Sequence, residues 1–166
     1  TADSNFVWLK RKIPFRAGPE IRELKYPGVV LFEESQRYYP KGHLASQTIG
    51  FAGLDNQGLA GLEVTYDDIL SGEPGQIRIE IDSRARAIPE SVHNYEPPVQ
   101  GSTLVLTLDA RLQYRVEKYA EELLLETGAE RITILVMDPR NGEILAMTGK
   151  PDFDAASYGS FPQDTW

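Results

Sequence analysis

Apolar and polar positions alternate or recur with a period that changes several times along the chain. From Phe15 to Lys25 the pattern is helical, with Ile21 and Leu24 on the inward side. "GVVLFEE", from Gly28 to Glu34, is a short apolar run and predicts a strand. "LEVTYDDILSG" predicts a short helix that stops at Gly72, and "GEPG", Gly72 to Gly75, predicts a turn. In "IRIEI", Ile77, Ile79 and Ile81 share one face while Arg78 and Glu80 take the other, the mark of a half-buried strand. "SVHNYEPPVQG", Ser91 to Gly101, reads as a linker, because Pro97 and Pro98 fit neither a helix interior nor an inner strand.

Beyond the prolines the pattern is more regular. "STLVLTL" places Leu104, Leu106 and Leu108 on alternate positions of a strand. Asp109 is a natural N-cap for a helix that runs to about Thr127, with Leu112, Val116, Tyr119, Ala120 and Leu123 as its apolar stripe. Gly128 is its expected C-terminal cap. "RITILVMD" and "GEILAMTG" flank the turn "DPRNG" and predict a hairpin. The closing stretch "KPDFDAASYGSFPQDTW" is aromatic and rich in turn residues, and it does not read as a closing element. A lone hairpin cannot bury both of its faces, so the second region reads as incomplete. The expected organisation is α+β, with a region of short strands and helices at 1–100 and a strand, helix and hairpin at 101–166.

Composition narrows the function classes. With 166 residues, 41% of them hydrophobic, the chain can build a core. A net charge of -8 and a pI near 4.8 oppose nucleic-acid binding, which needs a basic face. There is no cysteine, which excludes a disulfide scaffold and a thiolate metal site. No apolar run approaches the roughly 18 residues that a membrane helix needs.

The stretch "RYYPKGHLASQTIGFAGLDNQGLAGLE", Arg37 to Glu63, is the most unusual in the chain. Its glycines, Gly50, Gly53, Gly58 and Gly61, suggest a phosphate cradle, but the Gly-Lys-Ser/Thr ending of such a loop is missing. Turns and close backbone approach are the better reading. His43 and His93 are the only histidines, and no cysteine joins them as a ligand. Asp67-Asp68, Glu33-Glu34 and Glu121-Glu122 are adjacent carboxylates that point different ways, which does not make a catalytic dyad. No Ser-x-x-Lys, Lys-Thr-Gly or Gly-x-Ser-x-Gly occurs. Catalytic, cofactor-binding and metal-binding residues are therefore all expected to be absent from this chain.

The same stretch resembles the N-terminal non-catalytic module, called the dimerisation or pedestal domain, of class B penicillin-binding proteins. The family pattern R-x-Y-P-x-G-x-x-A-S, then I-G-F, then G-x-x-G-L-E, Y-D and L-x-G, is matched by Arg37, Tyr39, Pro40, Gly42, Ala45, Ser46, Ile49, Gly50, Phe51, Gly58, Gly61, Leu62, Glu63, Tyr66, Asp67, Leu70 and Gly72. "FVWLKRKI" resembles the approach to that module. "PPVQGSTLVLTLDARLQ" resembles its join to the transpeptidase domain, with Gly101, Thr107, Asp109 and Gln113 matching, and "MDPRNGEILAMTGKPDFD" resembles that domain's first hairpin.

The resemblance implies a pedestal at 1–100 and the start of a serine transpeptidase domain at 101–166. An Arg-Gly…Asp-Arg segment and a membrane anchor are expected upstream, and the nucleophile motif Ser-x-x-Lys shortly after Trp166. The parent is expected at the extracytoplasmic face of a bacterial membrane, where it cross-links peptidoglycan stem peptides and reacts with β-lactams. A polytopic membrane glycosyltransferase is the expected partner, and a homodimer is a second expectation. A free-standing extracellular protein- or glycan-binding module is the alternative reading. Within the stretch, Arg37 and Glu63 bracket the glycine-rich loop and are expected to pair as a clasp. Tyr39, Gly42, Gly50, Gly58, Gly61, Tyr66, Asp109 and Gln113 are the other residues expected to carry the motif's structural role.

Overall fold

The structure is a computed structural model that describes residues 6–78 and 94–162. The expectations for Ile79, Ile81, Ser91 and His93 lie outside the described residues. The chain divides into two compact units, Thr1–Tyr38 and Tyr39–Trp166.

In the first unit the helix is shorter than its pattern predicts: α1 spans Ala17–Glu23. Ile21 is partly covered, but Leu24, the C-cap residue just past the end of the helix, is exposed. The strand expected at Gly28–Glu34 is not formed among the described residues; the backbone there has no ladder partner and Val30 and Phe32 are exposed. An apolar run supplies a candidate strand, but only a neighbouring strand makes it one. The side chains gather instead into an aromatic cluster. Phe6 stands edge-on to Trp8 at 5.0 Å and to Phe32 at 6.0 Å, and the Arg11 guanidinium lies 5.2 Å from the Trp8 ring centre. Arg11 also pairs with Glu34 at 2.7 Å, and that guanidinium holds the Glu34 carboxyl below its ordinary pKa.

The second unit begins at the unusual stretch. Short helix α2 spans Ser46–Ile49. The single helix expected at 62–72 is two, α3 at Gly61–Thr65 and α4 at Asp67–Leu70, broken where Tyr66 leaves helical geometry at φ -116°, ψ 21°. Strand β1, Gln76–Arg78, then pairs antiparallel with β2, Asn94–Glu96. This corrects the linker expectation for 94–101. Glu73 and Val99 exchange both backbone hydrogen bonds at 2.9 Å, and Ser102 N–H donates to the Ile69 carbonyl at 2.8 Å. Pro97 and Pro98 fall between β2 and the Val99 bridge, where no N–H is required of them.

Helix α5, Ala110–Thr127, is capped as its sequence predicts. The Asp109 carboxylate accepts from the N–H groups of Arg111 and Leu112 at 2.8 Å, and Gly128 closes the helix in the left-handed region at φ 65°. The hydrogen bonds from Leu112 and then Arg111 hold the Asp109 carboxyl below its ordinary pKa. The buried face differs from the predicted stripe. Tyr119 and Leu123 are exposed, whereas Gln113, Val116, Glu117 and Ala120 are buried. Strands β3, Ile132–Met137, and β4, Ile144–Lys150, form the expected hairpin, and α5 packs across it. Arg140, beside Asp138 at 2.6 Å in the turn, lowers the pKa of that carboxyl.

Residues 102–108 do not form the expected strand ladder. They run beside β4, where Thr107 Oγ1 and Asp109 N–H donate to the carbonyls of Ile144 and Leu145 at 2.7 and 2.9 Å. The closing stretch is also reassigned. Asp154 caps a 3₁₀ turn at Ala155–Ser160, and Phe153 is fully buried.

Candidate functional site

The stretch from Tyr39 to Tyr66 folds as a corner locked from inside. The Tyr39 hydroxyl accepts from Ala52 N–H at 2.8 Å and donates to Glu63 Oε1 at 3.3 Å. Glu63 is buried on α3. Ala52 and Gly58 bridge antiparallel, and Gly58 N–H donates to the Asp67 carboxylate at 2.8 Å. Gly50, at φ 80°, and Gly61, at φ 57°, stand back to back, so that a Cβ on Gly50 would overlap the Ala60 carbonyl. Gly58 is equally tight against the Glu63 backbone, while a Cβ on Gly42, held at φ 56°, would only touch the Asp154 carboxylate at 3.9 Å.

Phe51 projects from this corner into the core. Its ring is edge-on to Phe153 at 5.6 Å and stacked on Tyr158 at 3.9 Å. Tyr39 and Ala60 pack against the same cluster. Phe153 and Tyr158 come from the closing stretch, so two segments a hundred residues apart share one aromatic core.

The corner is also pinned by polar bonds. Ala45, left-handed at φ 56°, donates its N–H to Glu117 Oε1 on α5 at 2.7 Å. Thr48 Oγ1 donates to the Met147 carbonyl at 3.4 Å, and Gln47 Nε2 to the Pro151 carbonyl at 3.1 Å. The Gln113 amide donates to the Met147 carbonyl at 2.8 Å and accepts from Met147 N–H at 2.9 Å. An apolar cavity of about 250 Å³ lies between the corner and residues 106–113, lined by Pro40, Leu44, Ile49, Leu106 and Leu108 among others.

Of the expected site residues, Tyr39, Gly42, Gly50, Gly58, Gly61, Glu63, Asp109 and Gln113 all belong to the second unit. Tyr66, partly exposed, serves through its backbone as the break between α3 and α4. Arg37 belongs to the first unit, and its pairing with Glu63 stays a proposal. Glu117, Asp67, Phe153 and Tyr158 were not singled out from the sequence for these roles. One signal was legible: Gln113 and Glu117 sit four positions apart on the same helix face as Val116 and Ala120, so the buried stripe carries two polar groups.

The polar groups of the corner bond to helix α5, strand β4 and the segment after it. Ser46 Oγ is buried without a hydrogen-bond partner, so no base is placed to activate it. His43 Nδ1 lies 3.9 Å from Asp152 Oδ1, and Lys150 Nζ occupies the other Asp152 oxygen at 2.7 Å. No cluster of three or more metal-ligating side chains occurs among the described residues, nor does any helix long and apolar enough to cross a membrane.

The chain is similar to known proteins in sequence and in fold. Residues 2–106 match the family model of the penicillin-binding protein dimerisation domain. Stage V sporulation protein D of Bacillus subtilis is 40% identical over 150 residues, which are 90% of this chain and 23% of that protein. Peptidoglycan D,D-transpeptidase FtsI of Escherichia coli K12 is 32% identical over 96% of the chain and 27% of its own length. The crystal structure of penicillin-binding protein 3 from Mycobacterium tuberculosis superposes with a TM-score of 0.64 at 31% identity, covering 79% of this chain and 26% of that one. A peptidoglycan synthetase from Bifidobacterium adolescentis gives a TM-score of 0.68 at 26% identity, covering 90% of this chain and 28% of that one. The chain thus spans about a quarter of the length of the relatives it matches. It belongs to the class B penicillin-binding proteins and carries their dimerisation domain.

Proposed function

We propose that this chain is the non-catalytic portion of a peptidoglycan-cross-linking penicillin-binding protein, and that it positions the transpeptidase domain. Residues 1–100 are the pedestal, and 101–166 begin the transpeptidase domain. One observation supports this above the others: the signature corner is packed into, and hydrogen-bonded to, helix α5, strand β4 and the segment after it. A pedestal joined only by a loose tether would leave the domain free to turn. This one meets it through a buried aromatic core and buried polar groups.

In the parent, a Ser-x-x-Lys serine attacks the D-Ala-D-Ala carbonyl of a stem peptide, and the acyl group then passes to an acceptor amine. β-Lactams acylate the same serine. The parent sits on the extracytoplasmic face of a bacterial membrane, held by an N-terminal transmembrane helix. The pedestal there contacts a polytopic peptidoglycan glycosyltransferase or a second copy of itself. Support for contact of this general kind is the dimerisation family to which residues 2–106 belong.

Fluorescent penicillin separates positioning from catalysis. The 166-residue chain is expected to take no covalent label, while the parent ectodomain labels. A stable adduct on the chain alone would overturn its non-catalytic assignment. Co-purification of the parent with the glycosyltransferase, lost when 1–100 is exchanged for an unrelated spacer, tests the partner.

A further inference from the structure

Gln113 and Glu117 make helix α5 the middle of a closed polar circuit. Both are buried, and Gln113 is only 1% exposed. Gln113 meets β4 as a neighbouring strand would: it accepts the Met147 N–H at 2.9 Å and donates to the Met147 carbonyl at 2.8 Å. The same Nε2 donates to Glu117 Oε1 at 2.7 Å. That carboxylate oxygen also takes the Ala45 N–H at 2.7 Å. From the loop side, the Thr48 hydroxyl returns to the Met147 carbonyl at 3.4 Å. Ala45 and Met147, on separate elements, are therefore joined through two side chains of one helix. Ala45 is held in a left-handed conformation that a residue with a Cβ keeps only when its surroundings impose it.

We infer that Gln113 and Glu117 are positioning residues that couple the Ala45 turn to strand β4, so that the corner and the hairpin shift together. The physical reason is the sharing of atoms. Gln113 Nε2 has two acceptors and Glu117 Oε1 has two donors; the bonds at Glu117 are buried and those at Met147 part-buried. Loss of one bond leaves its partners unsatisfied and weakens the rest. A displacement of the Ala45 turn draws on Glu117 Oε1, loosens Gln113, and frees the β4 edge at Met147. That such a shift reports partner contact to the transpeptidase domain rests on the function proposed above; the coupling itself does not.

Amide hydrogen exchange on the 166-residue chain tests the coupling without any partner or substrate. Gln113 has no bond to Ala45, and Glu117 has none to Met147. In Gln113→Met, exchange at Ala45 N–H is expected to rise about tenfold or more, and in Glu117→Met the same rise is expected at Met147 N–H. The Val99 amide, bonded to Glu73 on a separate ladder, should stay unchanged. If each variant exposes only the amide its own side chain touches, the coupling is refuted. Should a methionine variant lose protection everywhere, Val99 included, Glu117→Gln decides. It keeps an acceptor for Ala45 but removes the charge that strengthens the bond from Gln113. A rise of about threefold at Met147 with Val99 unchanged supports the coupling, and an unchanged Met147 overturns it. Failure here would leave the penicillin and co-purification results untouched, and their failure would leave the coupling standing.

Discussion

Each of the two units gathers a cluster of aromatic rings, and the results differ. Phe6, Trp8 and Phe32 meet edge-on in the first unit, yet each remains half or more exposed to solvent. In the second, Phe51 meets Phe153 edge-on at 5.6 Å and stacks on Tyr158 at 3.9 Å, and Phe51 and Phe153 are almost wholly buried. The chemistry of the rings is the same, but the surroundings are not. The first unit has thirty-eight residues, short of the size at which a chain covers a core unaided. The second closes over its rings because segments far apart in sequence are pinned to one another by Glu117, Gln113, Thr48 and Gln47. Aromatic contact alone does not make a core; enclosure does.

The comparison is broken most strongly by Phe153→Ala. Removing a fully buried ring should cost about 3–5 kcal/mol in denaturant unfolding of the second unit. A loss below about 1 kcal/mol would show that the closing stretch is not part of the core. Next comes Gly50→Ala, which forces a Cβ onto the Ala60 carbonyl at a positive φ and should cost more than about 1 kcal/mol. The same exchange at Gly142, which has open space around its Cβ position, should cost less; equal losses would mean that backbone conformation alone, not the close approach, decides.

The proposed Arg37–Glu63 clasp asks whether the two units are tied. Thermal melts of Arg37→Ala, Glu63→Ala and the double variant should show a coupling of about 0.5–3 kcal/mol. Strictly additive losses would remove the clasp. Asp109→Ala gives a smaller effect that depends on pH. The folded-state pKa of Asp109 is depressed, so its contribution is present above the unfolded pKa and is lost as pH falls through the folded one. The melting temperatures of wild type and variant should differ at pH 7 and converge in acid; a difference that persists at low pH would assign the effect to something other than the carboxylate. Smallest of all, Trp8→Ala should leave the second unit's unfolding within about 0.5 kcal/mol of wild type.

Much of this was legible because it is local. Asp109 and Gly128 announce the ends of α5 by capping chemistry that needs only a few neighbouring residues. The Asn141-Gly142 turn between β3 and β4 is likewise set by nearby backbone. Gly50, Gly58 and Gly61 could be read as turns and close approaches, since the ending of a phosphate loop is missing, whereas Tyr39, Gly42 and Glu63 stood out through the resemblance to the family. Failures arose where a residue's state depends on what lies opposite. Val30 and Phe32 read as a strand but found no ladder. Asn94–Glu96 read as a linker but found β1. Tyr119 and Leu123 fit an apolar stripe, yet the helix turned Gln113 and Glu117 inward because their hydrogen bonds were met there.

By itself, the sequence determined the helix and hairpin of the second region, the acidic cysteine-free character of the chain, and the signature that resembles its family. Only the tertiary structure decided that Phe51 and Phe153 share a core, that Glu117 holds Ala45, and that Gln113 completes the edge of β4. Caps and turns are satisfied within a few residues of chain. A buried ring or amide is satisfied by whatever the fold brings beside it, and here those partners stand up to a hundred positions away.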